Sequence, residues 1–207
     1  MGGYKVAIIG AGRLGSLLAH RIPGSYRKVI ISRERAEAGH LADEVGGIAA
    51  DQPSAVRGCQ LVFLTATDGT AVQWVREVQP HLGEGTLVVN MVPDLATADL
   101  ADEFASVHFA AAKLIGHPRE LNLGTPGVVV LDLVDGETAE RLTAMLSGLG
   151  TVSRGDEQMV AAVQHAIADT MAEVRSRLTD RLQKAGLSPA LAESAIASVA
   201  PGVLWSV

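Results

Sequence analysis

A glycine-rich turn near the start of the chain fits the pattern G-x-G-x-x-G and consists of Gly10, Ala11, Gly12, Arg13, Leu14 and Gly15. It follows an apolar run and leads into a helical pattern, which is the context in which such a turn binds a dinucleotide. Gly10 would permit the tight turn, Gly12 would let a pyrophosphate approach the backbone, and Gly15 would let the helix pack against the strand. Backbone N–H groups at the helix start would then bind the phosphates. A purely structural glycine turn is the alternative.

Basic side chains follow the second apolar run, RKVIIS, where a dinucleotide-binding fold usually has an acidic residue. An acid there would accept hydrogen bonds from the ribose hydroxyls and repel a 2′-phosphate. The Ser32 hydroxyl can instead donate to a phosphate, and the Arg33 guanidinium can form forked, charge-assisted hydrogen bonds to it. Arg35, together with Lys28, would add positive charge. We therefore predict NADP(H) rather than NAD(H), with a solvated basic loop as the alternative.

Elements able to position these residues alternate along the first three-quarters of the chain. Apolar runs predict strands near residues 4–9, 27–32, 48–50, 60–65, 86–91, 107–111 and 127–133. Helical patterns lie near residues 13–22, 34–45, 68–79, 94–103 and 136–148. The runs are apolar on both faces, as in a parallel sheet covered by helices. The alternation predicts an α/β fold with a doubly wound, Rossmann-type parallel sheet over residues 1–153.

The pattern changes over residues 154–207, where we expect a small all-α segment. One apolar stripe with helical spacing comprises Val160, Val163, Ile167, Met171, Val174, Leu178 and Leu182. Gly186 is a suitable helix end, and Ser188 and Pro189 are a suitable start for a second helix. So short a segment is too small to form a core alone. Its stripe must pack on its own domain or on a second copy, and we favour a homodimer.

Composition excludes several classes of protein. The chain has 207 residues, 48% of them hydrophobic, which is enough for a folded core. A net charge of −6 and 3% aromatic residues argue against nucleic acid and anionic membranes as partners. No run of about 18 apolar residues predicts a membrane span. Cys59 is the only cysteine, so no thiolate cluster is expected, and no metal site is predicted. We expect a soluble, cytoplasmic protein without a cleaved leader.

Several segments resemble the pyrroline-5-carboxylate reductase family and its relatives. VAIIGAGRLGSLLAHRI is similar to the family's opening turn and helix, and VIISRERAEAGHLADEVGGIAADQPSAV is similar to its Ser-Arg corner for NADP. CQLVFLTATDGTAVQWVREVQPHLGEGTLVVNMVPDLATADL resembles the fourth and fifth strands with their helix. The stretch that begins LGTVSRGDEQMV occupies the place of the family's short strand and dimerising helices. The resemblance implies an NADP-dependent oxidoreductase that dimerises through its C-terminal helices.

The substrate motifs of that family are replaced. TATD stands where the family has a lysine-proline turn after the fourth strand, and MVPD stands where it has a glycine-containing turn after the fifth. AAKLIGHPREL replaces the family's MPN, and VQHAIADT replaces the Ser/Thr-Gly-rich helix start that binds pyrroline carboxylate. Cofactor use is therefore implied by the resemblance, whereas proline biosynthesis is not.

Two pairs of polar residues are candidates for catalysis. Asp169 lies four residues after His165 on one helical face, near the start of the long helix, which faces the nicotinamide in relatives. Asp169 would stabilise an iminium and His165 would donate a proton; a solvated polar face is the alternative. Lys113 and His117 fall in an expected loop after the sixth strand. Lys113 would bind a carboxylate and His117 would donate a proton, unless both are ordinary loop residues.

Six residues after the fourth and fifth strands complete the predicted cofactor site. Since the carboxyl ends of parallel strands border the ligand crevice, we expect these residues to line the nicotinamide ribose. They are Thr65, Ala66, Thr67, Met91, Val92 and Pro93.

The predicted activity is NADPH-dependent reduction of a C=N bond in a small molecule. Hydride transfer of this kind needs orientation, exclusion of water and management of one proton. Reduction of a carbonyl, hydride exchange with a deazaflavin, and a non-catalytic NADP-binding sensor are the alternatives. The residues do not identify the substrate.

Overall fold

The structure, a computed structural model, describes residues 4–204, with the backbone alone for Asp68 and for residues 199–204. Residues 205–207, the end of the predicted helical segment, lie outside the described part. The chain forms two compact units, residues 1–161 and 162–207. The division at 153 and 154 expected from the sequence stays a prediction.

The first unit alternates strands and helices in the predicted manner. Its strands are β1 (Lys5–Ile9), β2 (Arg27–Ile31), β3 (Ile48–Ala50), β4 (Leu61–Leu64), β5 (Leu87–Asn90), β6 (His108–Ile115), β7 (Gly127–Asp132) and β8 (Gly150–Arg154). Its helices are α1 (Arg13–Arg21), α2 (Arg35–Val45), α3 (Asp68–Val78), α4 (Thr97–Glu103), α5 (Pro118–Asn122) and α6 (Gly136–Leu146). Short 3-10 turns lie at Pro53–Val56, Gln79–His81 and Ser147–Leu149.

The strands form one sheet in the order β3-β2-β1-β4-β5-β6-β7-β8. The strand order reverses between β1 and β4, as in a Rossmann-type sheet, so the predicted fold is confirmed. Within the described part of the chain, each neighbouring pair is parallel except β6 and β7. The apolar pattern could not reveal this antiparallel step, because an apolar run has no direction. Only 11 residues separate β6 from β7, and parallel pairing needs a crossover of a dozen or more.

Strand β6 extends to Ile115, four residues beyond its predicted end. Its second half pairs with β7, with Ala111 opposite Asp132 and Ile115 opposite Val128. Lys113 therefore lies within a strand and is 2% exposed, so its expected place in a loop was wrong. Lysine is uncommon in buried strands, so the predicted strand ends before Lys113.

Apolar side chains cover both faces of the sheet. Along β1, Ile8 belongs to the cluster that includes residues of α1, α2 and α6, whereas Ala7 and Ile9 belong to the cluster that includes residues of α3 and α4. All three side chains are fully buried. This two-sided burial explains why the strand sequences are apolar throughout.

A buried polar network joins the chain segment after β5 to the start of the long helix. The carboxylate of Glu157 accepts hydrogen bonds from the backbone N–H and the hydroxyl of Thr97, both at 2.7 Å. The Lys113 ammonium lies 3.4 Å from the same carboxylate and donates to the carbonyl oxygens of Val92 at 2.5 Å and Leu95 at 2.8 Å. Glu157 is 8% exposed, so both charges have left water and must satisfy each other.

The second unit consists of helices. Helix α7 (Glu157–Lys184) begins in the first unit and continues into the second, and α8 (Pro189–Leu204) follows. Gly186 has a φ of +96°, which ends α7 at the predicted position, and the Ser188 hydroxyl accepts from Leu191 N at 3.4 Å. Arg175 of α7 and Glu193 of α8 form an ion pair at 2.8 Å. None of the helices in residues 4–204 is long and apolar enough to cross a bilayer.

We expect Glu157→Ala to lower the free energy of unfolding by about 3 kcal/mol, because the Lys113 charge loses its buried partner. Urea unfolding followed by circular dichroism measures the change. Glu103 is the matched control: it pairs with Arg76 at 2.6 Å but is 45% exposed. Glu103→Ala should cost less than about 1 kcal/mol. Equal, small losses in the two variants would show that the buried pair is not a stabilising constraint.

Candidate functional site

The predicted cofactor residues lie along one edge of the sheet, where successive parallel strands end. The ladder of hydrogen bonds continues past the strands: Gly10 N donates to Ile31 O at 2.8 Å and Thr65 N donates to Ile9 O at 3.0 Å. Met91 N likewise donates to Leu64 O at 3.0 Å. The segments after β1, β2, β4 and β5 are therefore neighbours. The reversal of strand order between β1 and β4 places a ligand crevice at this edge.

The glycine turn is shaped by close contacts within the protein at two of its three glycines. Gly10 has a φ of +110°, which favours glycine. A Cβ on Gly15 would lie 1.8 Å from the Gly10 carbonyl oxygen, so α1 can begin this close to β1 only with glycine there. At Gly12 the situation differs, since an added Cβ would meet no protein atom within 4 Å and φ is −69°. Protein packing therefore does not require glycine at position 12. A pyrophosphate that approaches the backbone here would require it, because a side chain would stand in its way.

Helix α1 starts at Arg13 with no side-chain cap on its N-terminus, because Gly12 occupies the capping position. The first N–H groups of a helix have no partners within it, and here no capping side chain replaces them. An anion is stabilised at such an end by these donors and by the helix dipole. The turn thus fits a dinucleotide pyrophosphate in both space and charge.

The residues after β2 form a partly organised basic corner. Ser32 is 9% exposed, and its Oγ accepts from Glu34 N at 3.2 Å. The Arg33 side chain is 46% exposed, and its Nη2 lies 3.4 Å from Glu77 Oε1. Arg35 is 84% exposed and lies 4.0 Å from Asp51. Two guanidinium groups are therefore available at the predicted 2′-phosphate position, although each has an acidic neighbour.

Lys28 does not belong to this corner, contrary to our expectation. It lies near the beginning of β2, four residues before Ser32 and so roughly 13 Å from that residue along the strand direction. Lys28 is 6% exposed, and this burial lowers the pKa of its ammonium group. The predicted strand over residues 27–32 already implied this distance, because Lys28 is its second residue and Ser32 its last.

The segment after β4 supports the glycine turn from the side. The Thr65 hydroxyl donates to the carbonyl oxygen of Ile9 at 2.9 Å and approaches that of Gly10 at 3.2 Å. This hydroxyl holds the turn in place, a role we had not predicted. Ala66 packs against the buried cluster beside α3, and the Thr67 hydroxyl lies 3.2 Å from that of Thr70. Contact of these residues with a nicotinamide ribose stays a prediction.

The segment after β5 is anchored rather than open. Met91 is 1% exposed and Val92 is fully buried, so of the three predicted residues only Pro93 has an exposed side chain. Val92 N donates to Asn90 Oδ1 at 3.0 Å, and Val92 O accepts from Lys113. The peptide groups on both sides of Val92 are thus fixed by buried side chains. A cofactor would meet a rigid backbone here.

Lys113 and His117, which we expected as one candidate set in a loop, lie in different elements: Lys113 in β6 and His117 at the start of α5. The Lys113 ammonium does approach a carboxylate, but that carboxylate belongs to Glu157 of the same chain. His117 is exposed at the start of α5, where its Nδ1 accepts from Arg119 N at 3.3 Å and caps the helix. Burial removes Lys113 from the candidates for direct substrate contact. The proton-donor role of His117 stays a prediction.

His165 and Asp169 are both exposed on α7, within the second unit. Their spacing of four residues on one continuous helix places them on the same face, as predicted. Their catalytic roles stay predictions.

Sequence reasoning missed the residues that support the site. Asn90 is fully buried; its Nδ2 donates to Leu95 O at 2.7 Å and to the Thr97 hydroxyl at 2.9 Å. Thr97 connects Asn90 to Glu157 and so closes the network around the segment after β5. The asparagine at the end of an apolar run was the available signal, because a buried amide must find partners.

Fold and turn together define a Rossmann-type dinucleotide-binding protein. Residues 5–93, which include β1 to β5, match the family model described as "NADP oxidoreductase coenzyme F420-dependent". The chain is 28% identical over 157 residues to a glycerol-3-phosphate dehydrogenase [NAD(P)+] from Moorella thermoacetica, an alignment that covers 66% of the chain. The chain spans about half the length of that dehydrogenase, 47%.

Solved structures share the fold at low sequence identity. A pyrroline-5-carboxylate reductase from Coxiella burnetii matches with a TM-score of 0.73 and 13% identity, over 97% of this chain and 78% of that one. An imine reductase from Myxococcus stipitatus, solved in complex with NADP+, matches with a TM-score of 0.68 and 21% identity, over 97% and 73%. These likenesses confirm the resemblance in fold. Of the proteins named, the imine reductase is in complex with NADP+ and the glycerol-3-phosphate dehydrogenase is named for NAD(P)+.

The two glycines Gly12 and Gly15 should respond differently to substitution. Gly12→Ser should leave the free energy of unfolding nearly unchanged, because serine is a good helix N-cap and no protein atom opposes its Cβ. It should weaken NADP+ binding at least about tenfold, since the side chain occupies the phosphate approach. Gly15→Ala should instead destabilise the fold, since its Cβ would clash with Gly10. Calorimetric titration and thermal unfolding separate these outcomes; unchanged NADP+ affinity in a folded Gly12→Ser protein would contradict the phosphate site.

Proposed function

We propose that this chain is an NADPH-dependent reductase that acts on a C=N bond in a small molecule. The observation that supports the cofactor most directly is the open, uncapped turn at Gly12, with Arg33 at the end of β2. The imine reductase and pyrroline-5-carboxylate reductase structures, which share the fold, support the C=N substrate class. The replaced motifs at residues 65–68, 91–94 and 111–121 favour a substrate other than pyrroline carboxylate.

The residues of the chain would orient the reactants and manage a proton, while bound NADPH would supply the hydride. Gly12 and the start of α1 hold the pyrophosphate, and Ser32 and Arg33 hold the 2′-phosphate. Asp169 would stabilise the positive charge of a protonated imine, and His165 would donate the proton that converts the imine to this iminium before the hydride is transferred. The anchored backbone of Met91, Val92 and Pro93 keeps one wall of the site in place by the buried network that includes Glu157.

Hydride exchange with a deazaflavin is the second candidate. The family model matched by residues 5–93 names a coenzyme of that kind, and this match supports the alternative. In that case the second coenzyme would take the place of the imine, and a proton donor such as His165 would matter less. Reduction of a carbonyl differs again, because a proton donor beside the oxygen is then required.

We also propose that the protein is cytoplasmic and that it forms a homodimer. The two copies would meet through α7 and α8. Large apolar side chains on these helices are exposed in the single chain: Val163 by 37%, Ile167 by 53%, Val174 by 36% and Leu191 by 61%. Three of them belong to the stripe predicted from the sequence. Burial of such side chains by a second copy would remove apolar surface from water.

The reductase proposal predicts NADPH consumption with cyclic imines, and less with ketoacids or an oxidised deazaflavin. Asp169→Asn should lower kcat by about 100-fold or more, as expected for loss of a group that acts in the transition state. Asp180→Asn is the matched control, because Asp180 is another exposed acid on α7. NADPH absorbance measures turnover.

Each alternative has its own result in that assay. Turnover with the deazaflavin alone would establish the second candidate and reject imine reduction. Binding of NADPH without turnover of any of the three substrate classes would indicate a sensor. Equal activity of the Asp169 and Asp180 variants would reject Asp169 as a catalytic residue.

The dimer should be visible by size-exclusion chromatography with light scattering. The unaltered protein should have twice the mass of the chain, and Ile167→Glu combined with Val174→Glu should give monomers, because charges would replace apolar contacts. Glu173→Gln, an exposed change on the same helix, should remain dimeric. A monomeric unaltered protein at micromolar concentration would contradict the proposal.

A further inference from the structure

Arg33 has a carboxylate beside it. Its Nη2 lies 3.4 Å from Oε1 of Glu77, which projects from α3 rather than from the corner itself. The guanidinium also lies over the indole of Trp74, with its Cζ 5.2 Å from the ring centroid. A dinucleotide-binding fold usually has an acid directly after β2; here the acid beside this corner comes from another element, α3.

Gln73 contacts this carboxylate directly, and Trp74 defines the place of the Arg33 guanidinium beside it. Gln73, four residues earlier on α3, donates from Nε2 to Glu77 Oε1 at 2.7 Å. Trp74 is 4% exposed, so the surface on which Arg33 lies belongs to the packed core. Glu77 therefore occupies a defined place at the guanidinium and is more than a mobile surface charge.

We propose that Glu77 is a specificity-determining residue that competes with the coenzyme 2′-phosphate for Arg33. The inference rests on the proposed NADP(H) site. A phosphate and a carboxylate are both acceptors for the same guanidinium donors, and they repel each other. NAD(H) has a hydroxyl in place of the phosphate and does not require Arg33 to leave Glu77. Glu77 thus lowers the affinity for NADP(H) selectively and moderates the preference over NAD(H).

The exposure of the pair sets the size of this effect. The side chains of Arg33 and Glu77 are 46% and 34% exposed, so water screens their attraction. Half-exposed pairs of this kind change a binding constant by only about 2- to 5-fold. Repulsion between Glu77 and a phosphate adds to this, and we expect about 3- to 10-fold in total. The competition therefore tunes specificity and does not block the coenzyme.

A second pair in the first unit provides a matched control. Arg76 contacts Glu103 at 2.6 Å and lies 5.9 Å from the ring centroid of Phe104, which repeats the combination of guanidinium, carboxylate and aromatic ring. Glu103 ends α4, which leads into β6, and β1, β4 and β5 separate β6 from β2 in the sheet. Glu103→Gln changes the net charge as Glu77→Gln does, but away from Arg33.

The test is isothermal titration of the folded full-length chain with NADP+ and with NAD+. Glu77→Gln should bind NADP+ about 3- to 10-fold more tightly than the unaltered protein and should bind NAD+ within about twofold. Glu103→Gln should change neither affinity by more than about twofold. In an Arg33→Gln background, Glu77→Gln should give a smaller gain, since only the direct repulsion between Glu77 and the phosphate is left to remove. Circular dichroism confirms that each variant is folded.

Unchanged or weaker NADP+ binding by folded Glu77→Gln, while the unaltered protein binds NADP+, would overturn this inference and leave the proposed function intact. An equal gain for NAD+, or an undiminished gain in the Arg33→Gln background, would also overturn it, because the effect would then not depend on competition for Arg33. Failure of every form, Glu77→Gln included, to bind either coenzyme would overturn the proposed cofactor site and the competition together.

Discussion

The close approach of α1 to β1 is the constraint on which the candidate site depends. The two elements are joined by a turn in which a Cβ at Gly15 would lie 1.8 Å from the Gly10 carbonyl oxygen. Because this contact leaves no room for a side chain, the start of α1 is held at the sheet edge beside Thr65. The Thr65 hydroxyl then fixes the same turn from β4. Gly12 leaves this helix end without a side-chain cap, and pyrophosphate binding in the proposed function depends on that end.

Buried charged groups fix a second part of the candidate site, the segment after β5. The Glu157 carboxylate accepts from the Thr97 hydroxyl and pairs with the Lys113 ammonium, and Lys113 in turn donates to the carbonyl oxygens of Val92 and Leu95. A buried ion pair is weak evidence for stability, because desolvation offsets much of its attraction. It is better evidence for a defined position, since few arrangements satisfy all of these groups. These contacts order the irregular segment after β5. The family that the chain resembles has a glycine-containing turn at this position.

The fold could be predicted because its signals are local. Apolar runs, helical spacing and glycine positions predicted β1 to β7, the long helix and its end at Gly186, whereas the short and largely exposed β8 (Gly150–Arg154) was missing from the predicted strands. The antiparallel step and the length of β6 depend on which strands pair, and pairing is a long-range property. The glycine turn and Arg33 could be predicted as well, because both are recognised from residues adjacent in the sequence. The partners of Lys113 and Arg33, Glu157 and Glu77, are each more than forty residues away along the chain, and spacing contains no information about them.

The measurement that tests the central claim most directly is the affinity of the unaltered chain and of Arg33→Asp for NADP+ and NAD+. If Arg33 binds the 2′-phosphate, the unaltered chain prefers NADP+, and the substitution weakens NADP+ binding about ten- to a hundredfold while NAD+ binding changes little. Equal losses for the two coenzymes, or no binding of either by the unaltered chain, would contradict the account.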